Sequence, residues 1–173
     1  MFNKYFLSFK TASAIKSPKA DRGTNGFSNS LRIGILFTYS DKHNFELVNE
    51  MMGKLEQEGK SVDSITYIVK MGENDSYPFP FFNIKDIDFW GNWKKTEVND
   101  FINIPFDYLL SLDLNINNIT QNILALSMAK CRVGRYEEGK SDYFELMIDH
   151  KEDDYEQFID QVYHYIKNLR NGE

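Results

Sequence analysis

The segment from Leu31 to Ser40, which reads "LRIGILFTYS", decides the fold class. It is mostly apolar, with β-branched and aromatic side chains and no regular alternation with polar residues. This composition is typical of a strand that is covered on both faces, and such strands belong mainly to parallel sheets between helical layers. The segment therefore predicts the first core strand of an α/β fold.

The segments on either side extend this prediction. Ser40 or Asp41 can cap a helix that ends near Gly59, and a second strand is expected at residues 61–71. Further strands are predicted around residues 84–89, 106–114, 130–136 and 142–150, with helices around residues 96–102, 116–126 and 151–170. Alternation of strands and helices favours a single-domain layered sandwich, Rossmann-like, with a mostly parallel sheet and right-handed crossovers. We assign residues 31–173 to this domain and residues 1–30 to an N-terminal extension.

The N-terminal extension combines aromatic and basic residues. Phe2, Tyr5, Phe6 and Phe9 recur at helical spacing, which predicts a short amphipathic helix. Residues 17–30 are rich in Ser, Gly, Lys and Asn and are interpreted as a linker. The extension carries five basic residues that we expect to contact an anionic partner: Lys4, Lys10, Lys16, Lys19 and Arg22.

The charge distribution supports that expectation. Residues 1–32 hold six basic side chains against one acidic side chain, Asp21, whereas the rest of the chain holds 14 basic and 25 acidic ones. A basic arm attached to an acidic body indicates that the arm touches nucleic acid or a membrane face.

Composition also bears on location and on metal chemistry. The single cysteine, Cys131, excludes an internal disulfide and a cysteine-based zinc site within one chain, and a buried, inert thiol is expected. The three histidines are far apart in sequence and show no ligand spacing, so no metal is predicted, and no cofactor motif is present. We expect a cytoplasmic protein, or one peripheral to the inner face of the membrane.

Polar residues that follow the predicted strands are the candidates for a ligand pocket, since ligands of open parallel sheets bind beyond the carboxyl ends of the strands. These residues are Ser40, Asp41, Asp113, Asn115 and Arg135. Each also has a structural interpretation, as a helix cap, a turn former or a solvated arginine. Residues alone do not decide between the two.

The most unusual composition is "YPFPFF" at residues 77–82, with Trp90 and Trp93 nearby. If exposed, Tyr77 to Phe82 would mark a protein partner surface; if folded down, they would cover one edge of the sheet. Both interpretations stay open.

The order of a basic N-terminal segment, "RIGILF", "FDYLLSLDLN", "ILALSMAKCRVGRY" and a terminal helix resembles an uncharacterised family of short bacterial proteins, a domain of unknown function with a Rossmann-like core. This resemblance covers almost the whole chain and implies no activity. Residues 106–136 also resemble the N-terminal half of heptosyltransferase-type glycosyltransferases, with Asp113, Val133 and Gly134 matching the two strand ends. Those enzymes hold the nucleotide sugar in a second domain, so this resemblance implies a half-enzyme that has lost the transferase reaction.

Two functions follow. The first is a non-catalytic interaction module whose arm attaches the α/β body to RNA or the ribosome, or to a membrane surface; no DNA-specific motif is present. The alternative is a small ligand-binding protein or enzyme of glycosyltransferase-like ancestry that uses the carboxyl ends of the strands. The absence of a catalytic motif makes the enzyme the less expected of the two.

Overall fold

The computed structural model describes residues 4–72 and 75–170, so Phe2 lies outside the described residues. Within them, the sheet consists of β1 (Arg32–Thr38), β2 (Ser61–Tyr67), β3 (Phe81–Phe82), β4 (Tyr108–Ser111), β5 (Cys131–Arg135) and β6 (Leu146–Ile148). All neighbouring strands pair in parallel, in the order β3-β2-β1-β4-β5-β6. This is the strand order of a doubly wound Rossmann fold. The predicted α/β class and parallel sheet are confirmed.

Helices cover both faces of the sheet. The described helices are α1 (Lys4–Lys16), α2 (Lys42–Gln57), α3 (Thr96–Asn103), α4 (Asn118–Leu126) and α5 (Tyr155–Lys167). Apolar side chains of α2 and α5 pack on one face, whereas those of α1, α3 and α4 pack on the other. Alternate residues of β1 supply both cores, because Ile33 and Ile35 face α2 and α5 while Leu36 faces the opposite layer.

Polar side chains at the first turns explain where the helices begin. The carboxylate of Asp41 accepts the Asn44 N–H at 2.8 Å and caps α2. Asn117 caps α4 and Asp154 caps α5 in the same way. Each cap satisfies backbone N–H groups that have no partner inside the helix.

The strand predicted at residues 84–89 is wrong. Residues 84–86 instead form a 3₁₀ turn, because the Asn83 side chain accepts the Lys85 N–H at 2.7 Å and the Asp86 carboxylate accepts the Asn83 N–H at 2.8 Å. Local side-chain bonds to the backbone compete with strand pairing. The last predicted strand is also shorter than expected, since a 3₁₀ turn at Ser141–Tyr143 precedes β6.

Residues 17–30, interpreted as a linker, lie against the domain. Ala20, Phe27 and Ser30 are buried. The Gly23 N–H donates to the carbonyl of Lys130 at 2.9 Å, and the Phe27 N–H donates to the carbonyl of Leu169, just after α5, at 3.0 Å. The N-terminal extension is therefore part of the packed structure over the residues described.

Candidate functional site

The strand order reverses between β1 and β4, and the carboxyl ends of these two strands define the crevice where a doubly wound fold binds its ligand. Asp113, two residues after β4, lies at this point and faces Thr38, the last residue of β1. One carboxylate oxygen accepts the Thr38 N–H at 2.6 Å, and the other accepts the Thr38 hydroxyl at 3.0 Å. The Asn117 side chain donates to the same hydroxyl at 3.3 Å. The protein itself thus occupies both oxygens of the candidate carboxylate.

Burial dominates the electrostatics of this aspartate. It raises the pKa of Asp113 to about 6, although the hydrogen bonds from Thr38 favour the charged form. Tyr155, the first residue of α5, has a raised pKa for the same reason, burial, with a further contribution from the negative charge of Asp113. At this crevice, desolvation therefore raises the carboxyl pKa of Asp113 by more than the hydrogen bonds lower it.

Three more of the predicted pocket residues serve the backbone or lie at the surface. The Asp41 carboxylate caps α2, and the Ser40 hydroxyl donates to it at 3.1 Å. The same hydroxyl accepts the Asn44 side-chain amide at 2.8 Å. Asn115 is exposed in the loop between β4 and α4. Ser40 and Asp41 therefore act as a helix cap, which agrees with the structural interpretation of their sequence.

Arg135, the fifth predicted pocket residue, cross-links two loops. Its guanidinium donates to the carbonyl of His150 at 2.7 Å and to that of Leu114 at 3.0 Å. A third bond reaches the carbonyl of Glu152 at 3.3 Å, and only 13% of the side chain is exposed. The loop after β4 and the loop after β6 are thereby joined, and the guanidinium donors point at protein carbonyls.

Ser40, Asp41, Asp113 and Arg135 take part in three separate hydrogen-bonded contacts. An open depression of about 640 Å³ lies nearby, but its lining comes from His43, Asn44, Leu47, Leu114 and residues 152–156. Among the described residues, no group of three His, Cys, Asp or Glu side chains is placed to hold a metal ion. Cys131 is buried, as expected, and burial raises the pKa of its thiol to about 12.

A second candidate surface lies on α1, which packs with α3 and α4 on the face of the sheet opposite to α2 and α5. Leu7 and Thr11 are the buried side chains of this helix. The amide of Asn122 in α4 donates to the Thr11 hydroxyl at 2.9 Å and accepts the indole N–H of Trp93 at 2.9 Å. A polar bond inside a buried contact fixes the helix in one orientation, since each group would be costly to leave without a partner.

This orientation turns large aromatic rings outward. Tyr5 is 76% exposed and Phe9 is 72% exposed. The intervening Phe6 contacts two more exposed rings on the loop between β3 and α3, Phe89 at 5.7 Å and Trp90 at 5.0 Å between ring centroids. Sequence spacing predicted an amphipathic helix; the helix is present, but its apolar side chains are not gathered on one face. The spacing also could not predict that Phe89 and Trp90 lie beside the exposed rings of α1.

Close packing fixes the loop against the helix. Gly91 has a φ of 75°, and a Cβ atom there would lie 3.0 Å from the backbone nitrogen of Leu7. Lys10 donates to the Asn92 side chain from the helix. A larger residue at position 91 would push the loop away from α1, so glycine allows the two segments to form one surface.

The five basic residues of the extension differ in their accessibility. Lys4, Lys16 and Lys19 are exposed, whereas Lys10 is half-buried beside Asn92. The Arg22 guanidinium donates to the carbonyl of Ala129, and burial, together with the charge of Arg132, lowers its pKa to about 10. Arg22 is therefore half-buried, with one guanidinium nitrogen bound to the protein. We define the α1 surface as Lys4, Tyr5, Phe9, Lys16, Lys19, Phe89 and Trp90.

The stretch from Tyr77 to Phe82 mostly folds down. Phe82 is fully buried, and its ring contacts Trp93 at 5.3 Å between centroids. Phe79 is half-buried and lies 4.3 Å from the ring of Phe45 in α2. These contacts favour edge cover for the stretch; a protein partner there stays a prediction.

With this geometry in place, the chain can be compared with known proteins. A family model, Family of unknown function (DUF6913), matches residues 3–169. The chain belongs to this family. No curated protein and no solved structure matches it.

Membership of DUF6913 confirms the expected relationship to an uncharacterised family and carries no activity with it. The comparisons bear neither on the bacterial origin of that family nor on the resemblance of residues 106–136 to heptosyltransferase-type enzymes. In the structure this stretch forms β4, α4 and β5. Among residues 4–72 and 75–170, the helices are all too short or too polar to cross a bilayer.

Proposed function

We propose that this DUF6913 chain is an interaction module that uses its N-terminal segment, residues 1–30, to attach the acidic α/β body to an anionic macromolecular surface. The exposed face of α1 carries the proposal, because it presents lysines beside aromatic rings that the fold leaves uncovered. The first acidic residue of the chain is Asp21, so no carboxylate within the helix offsets these lysines. Single-sign charge on one face attracts an oppositely charged partner and raises its association rate.

The arrangement at the carboxyl edge supports a module over a catalyst. A strand-end enzyme needs polar groups that face a shared cavity. Here Asp113 binds Thr38 and Arg135 binds backbone carbonyls. These polar groups are thus already hydrogen-bonded within the protein, which leaves fewer lone pairs and donors for a substrate.

The chemistry of the surface suits two partners, the phosphates of RNA or the ribosome and the headgroups of an anionic bilayer. The acidic body, with 25 acidic residues against 14 basic ones after residue 32, repels both, so we expect contact only on the side of the molecule that carries α1. Under this proposal the protein is cytoplasmic, and it lies at the inner face of the membrane when the partner is a bilayer.

Removal of residues 1–30 would be a poor test because it would expose the core beneath Leu7 and Phe27. The better test is the full chain with Lys4→Gln, Lys16→Gln and Lys19→Gln together. Binding is measured to two defined probes at low salt, a single-stranded RNA oligonucleotide and vesicles of phosphatidylcholine with anionic phosphatidylglycerol.

We expect wild-type protein to bind at least one probe, and each lysine to contribute about five-fold to affinity. The matched control carries Lys42→Gln, Lys70→Gln and Lys151→Gln, three exposed lysines outside the N-terminal segment that give the same change of net charge. Equal weakening by the two triple variants, or no binding of either probe, would overturn the proposal.

A further inference from the structure

We propose that the anionic partner is a phospholipid bilayer, and that Phe9, Phe89 and Trp90 enter its interfacial region while the neighbouring lysines contact the headgroups. This inference rests on the proposed function and names the partner of the same surface. It assigns membrane contact to the loop between β3 and α3, residues 83–95, as well as to α1.

The first observation is the exposure of the rings. Phe9 is 72%, Phe89 50% and Trp90 59% exposed, and all three lie on α1 or on the loop packed against it. Phe89 and Trp90 contact each other at 5.3 Å between centroids, and both contact Phe6. Phe9 and Gly91 line the same shallow depression, so the helix and the loop form a continuous surface. Clustered exposed aromatic rings mark an interaction site, because an isolated domain gains nothing from leaving them in water.

The second observation is the arrangement of charge around the rings. Lys4 and Lys16 lie near the two ends of α1, and Lys19 follows shortly after it. Lys19 lines the same depression as Phe9, and the Lys4 ammonium lies over the Tyr5 ring at 5.6 Å, so lysines stand beside the exposed aromatic rings. In a bilayer interface, aromatic rings occupy the headgroup region and lysines reach anionic lipids. The charge complementarity therefore fits an anionic membrane.

RNA fits the same surface less well. Base stacking needs an open aromatic face, and edge-to-face packing covers part of the faces here, with Phe6 and Trp90 inclined at 61° and Phe89 and Trp90 at 88°. The arginine of the N-terminal segment, Arg22, would be the best phosphate binder, yet it donates to the carbonyl of Ala129. A bilayer interface accepts aromatic rings in any relative orientation, so the bilayer is the partner that the geometry favours.

Trp90 supplies a direct readout of insertion. The second tryptophan, Trp93, is only 7% exposed and is bonded to Asn122, so its emission should stay constant on binding. The full chain is mixed with phosphatidylcholine–phosphatidylglycerol vesicles that contain lipids brominated on the acyl chains. We expect bromine to quench wild-type emission and to leave the emission of the Trp90→Phe variant unchanged.

Affinity for unbrominated vesicles tests the contribution of the rings. We expect the double variant Phe9→Gln/Trp90→Gln to bind about a hundred-fold more weakly than wild type, about ten-fold per ring. Tyr165→Gln is the matched control, because this exposed ring lies on α5 and should leave binding unchanged. Circular dichroism and thermal midpoints show that each variant is folded.

The outcomes separate this inference from the proposed function. Binding of the RNA probe without binding of vesicles would overturn the bilayer and leave attachment through the lysines standing. Vesicle binding without quenching of Trp90, or without loss in the Phe9→Gln/Trp90→Gln variant, would also overturn the inference. Failure of both probes would overturn the two together.

Discussion

Replacing Asp113 with asparagine should make the protein more stable at neutral pH, although the carboxylate accepts two hydrogen bonds. Burial raises the pKa of Asp113 from 3.8 to about 6. The folded protein therefore binds more protons than the unfolded chain between these two values, and stability falls as pH rises through that window. A difference of about two pH units corresponds to about 3 kcal/mol of unfolding free energy.

Much of this effect lies in an accessible pH range. We expect about 2 of the 3 kcal/mol to be lost between about pH 4.5 and about pH 7.5 in the wild type. The asparagine of the Asp113→Asn variant cannot ionise and can still accept from Thr38, so the variant lacks this loss. Urea unfolding of both proteins across the range gives the difference directly, and titrations common to both cancel.

Asp107, which directly precedes β4 at the opposite end of the strand from Asp113, provides a control of opposite sign. Burial would raise its pKa, but bonds from Lys130 and from the backbone N–H groups of Leu31 and Arg32 together lower it. Its contribution to stability is therefore present above the ordinary carboxyl pKa and lost on acidification. Asp107→Asn should cost most stability at neutral pH. Parallel pH profiles for wild type and Asp113→Asn would refute the reasoning about the crevice.

Three further variants test the packing by urea unfolding. Gly34→Ala should lower the free energy of unfolding by about 1–3 kcal/mol, because its Cβ would lie 2.7 Å from the Phe106 ring. Gly53→Ala in α2 meets no atom within 4 Å and should raise that free energy by about 0.5–1 kcal/mol. Equal effects of the two variants would contradict this assignment. Asn122→Ala removes the hydrogen bonds to Thr11 in α1 and to the Trp93 indole. It should therefore lower the free energy of unfolding by about 1–3 kcal/mol and make α1 more sensitive to limited proteolysis. An unchanged cleavage rate would show that Asn122 does not hold α1 in place. Arg135→Gln should cost about 1–3 kcal/mol through the lost bonds to two loops, and a neutral result would show that water replaces them.

Local patterns predicted much of the fold. The apolar run of β1, the cap and period of α2 and the apolar face of α5 each lie within a few consecutive residues. Periodicity and caps determine such elements locally, so the sequence was sufficient to find them. The segment around residues 77–95 was harder, since its prolines and aromatic rings have no period and its 3₁₀ turn depends on the side chains of Asn83 and Asp86.

The sites depend on contacts between distant residues. Asp113 was recognisable as a polar residue at a strand end, but Thr38, which binds its carboxylate, is 75 residues away. The bond from Lys10 to Asn92 likewise joins residues 82 apart, and it marks where the loop meets α1. Spacing in one sequence carries no information about such pairs, which is why the part played by Phe89 and Trp90 was missed.

The two outermost strands of the sheet are also its shortest, with two residues in β3 and three in β6. Each leaves only a few backbone donors and acceptors unpaired, so a strand of another molecule could form few hydrogen bonds with it. Growth of the sheet from molecule to molecule, by dimerisation or fibre formation, is therefore disfavoured at both margins. We therefore expect association of this protein to use side chains on its helical layers and loops, which makes it sensitive to single surface substitutions.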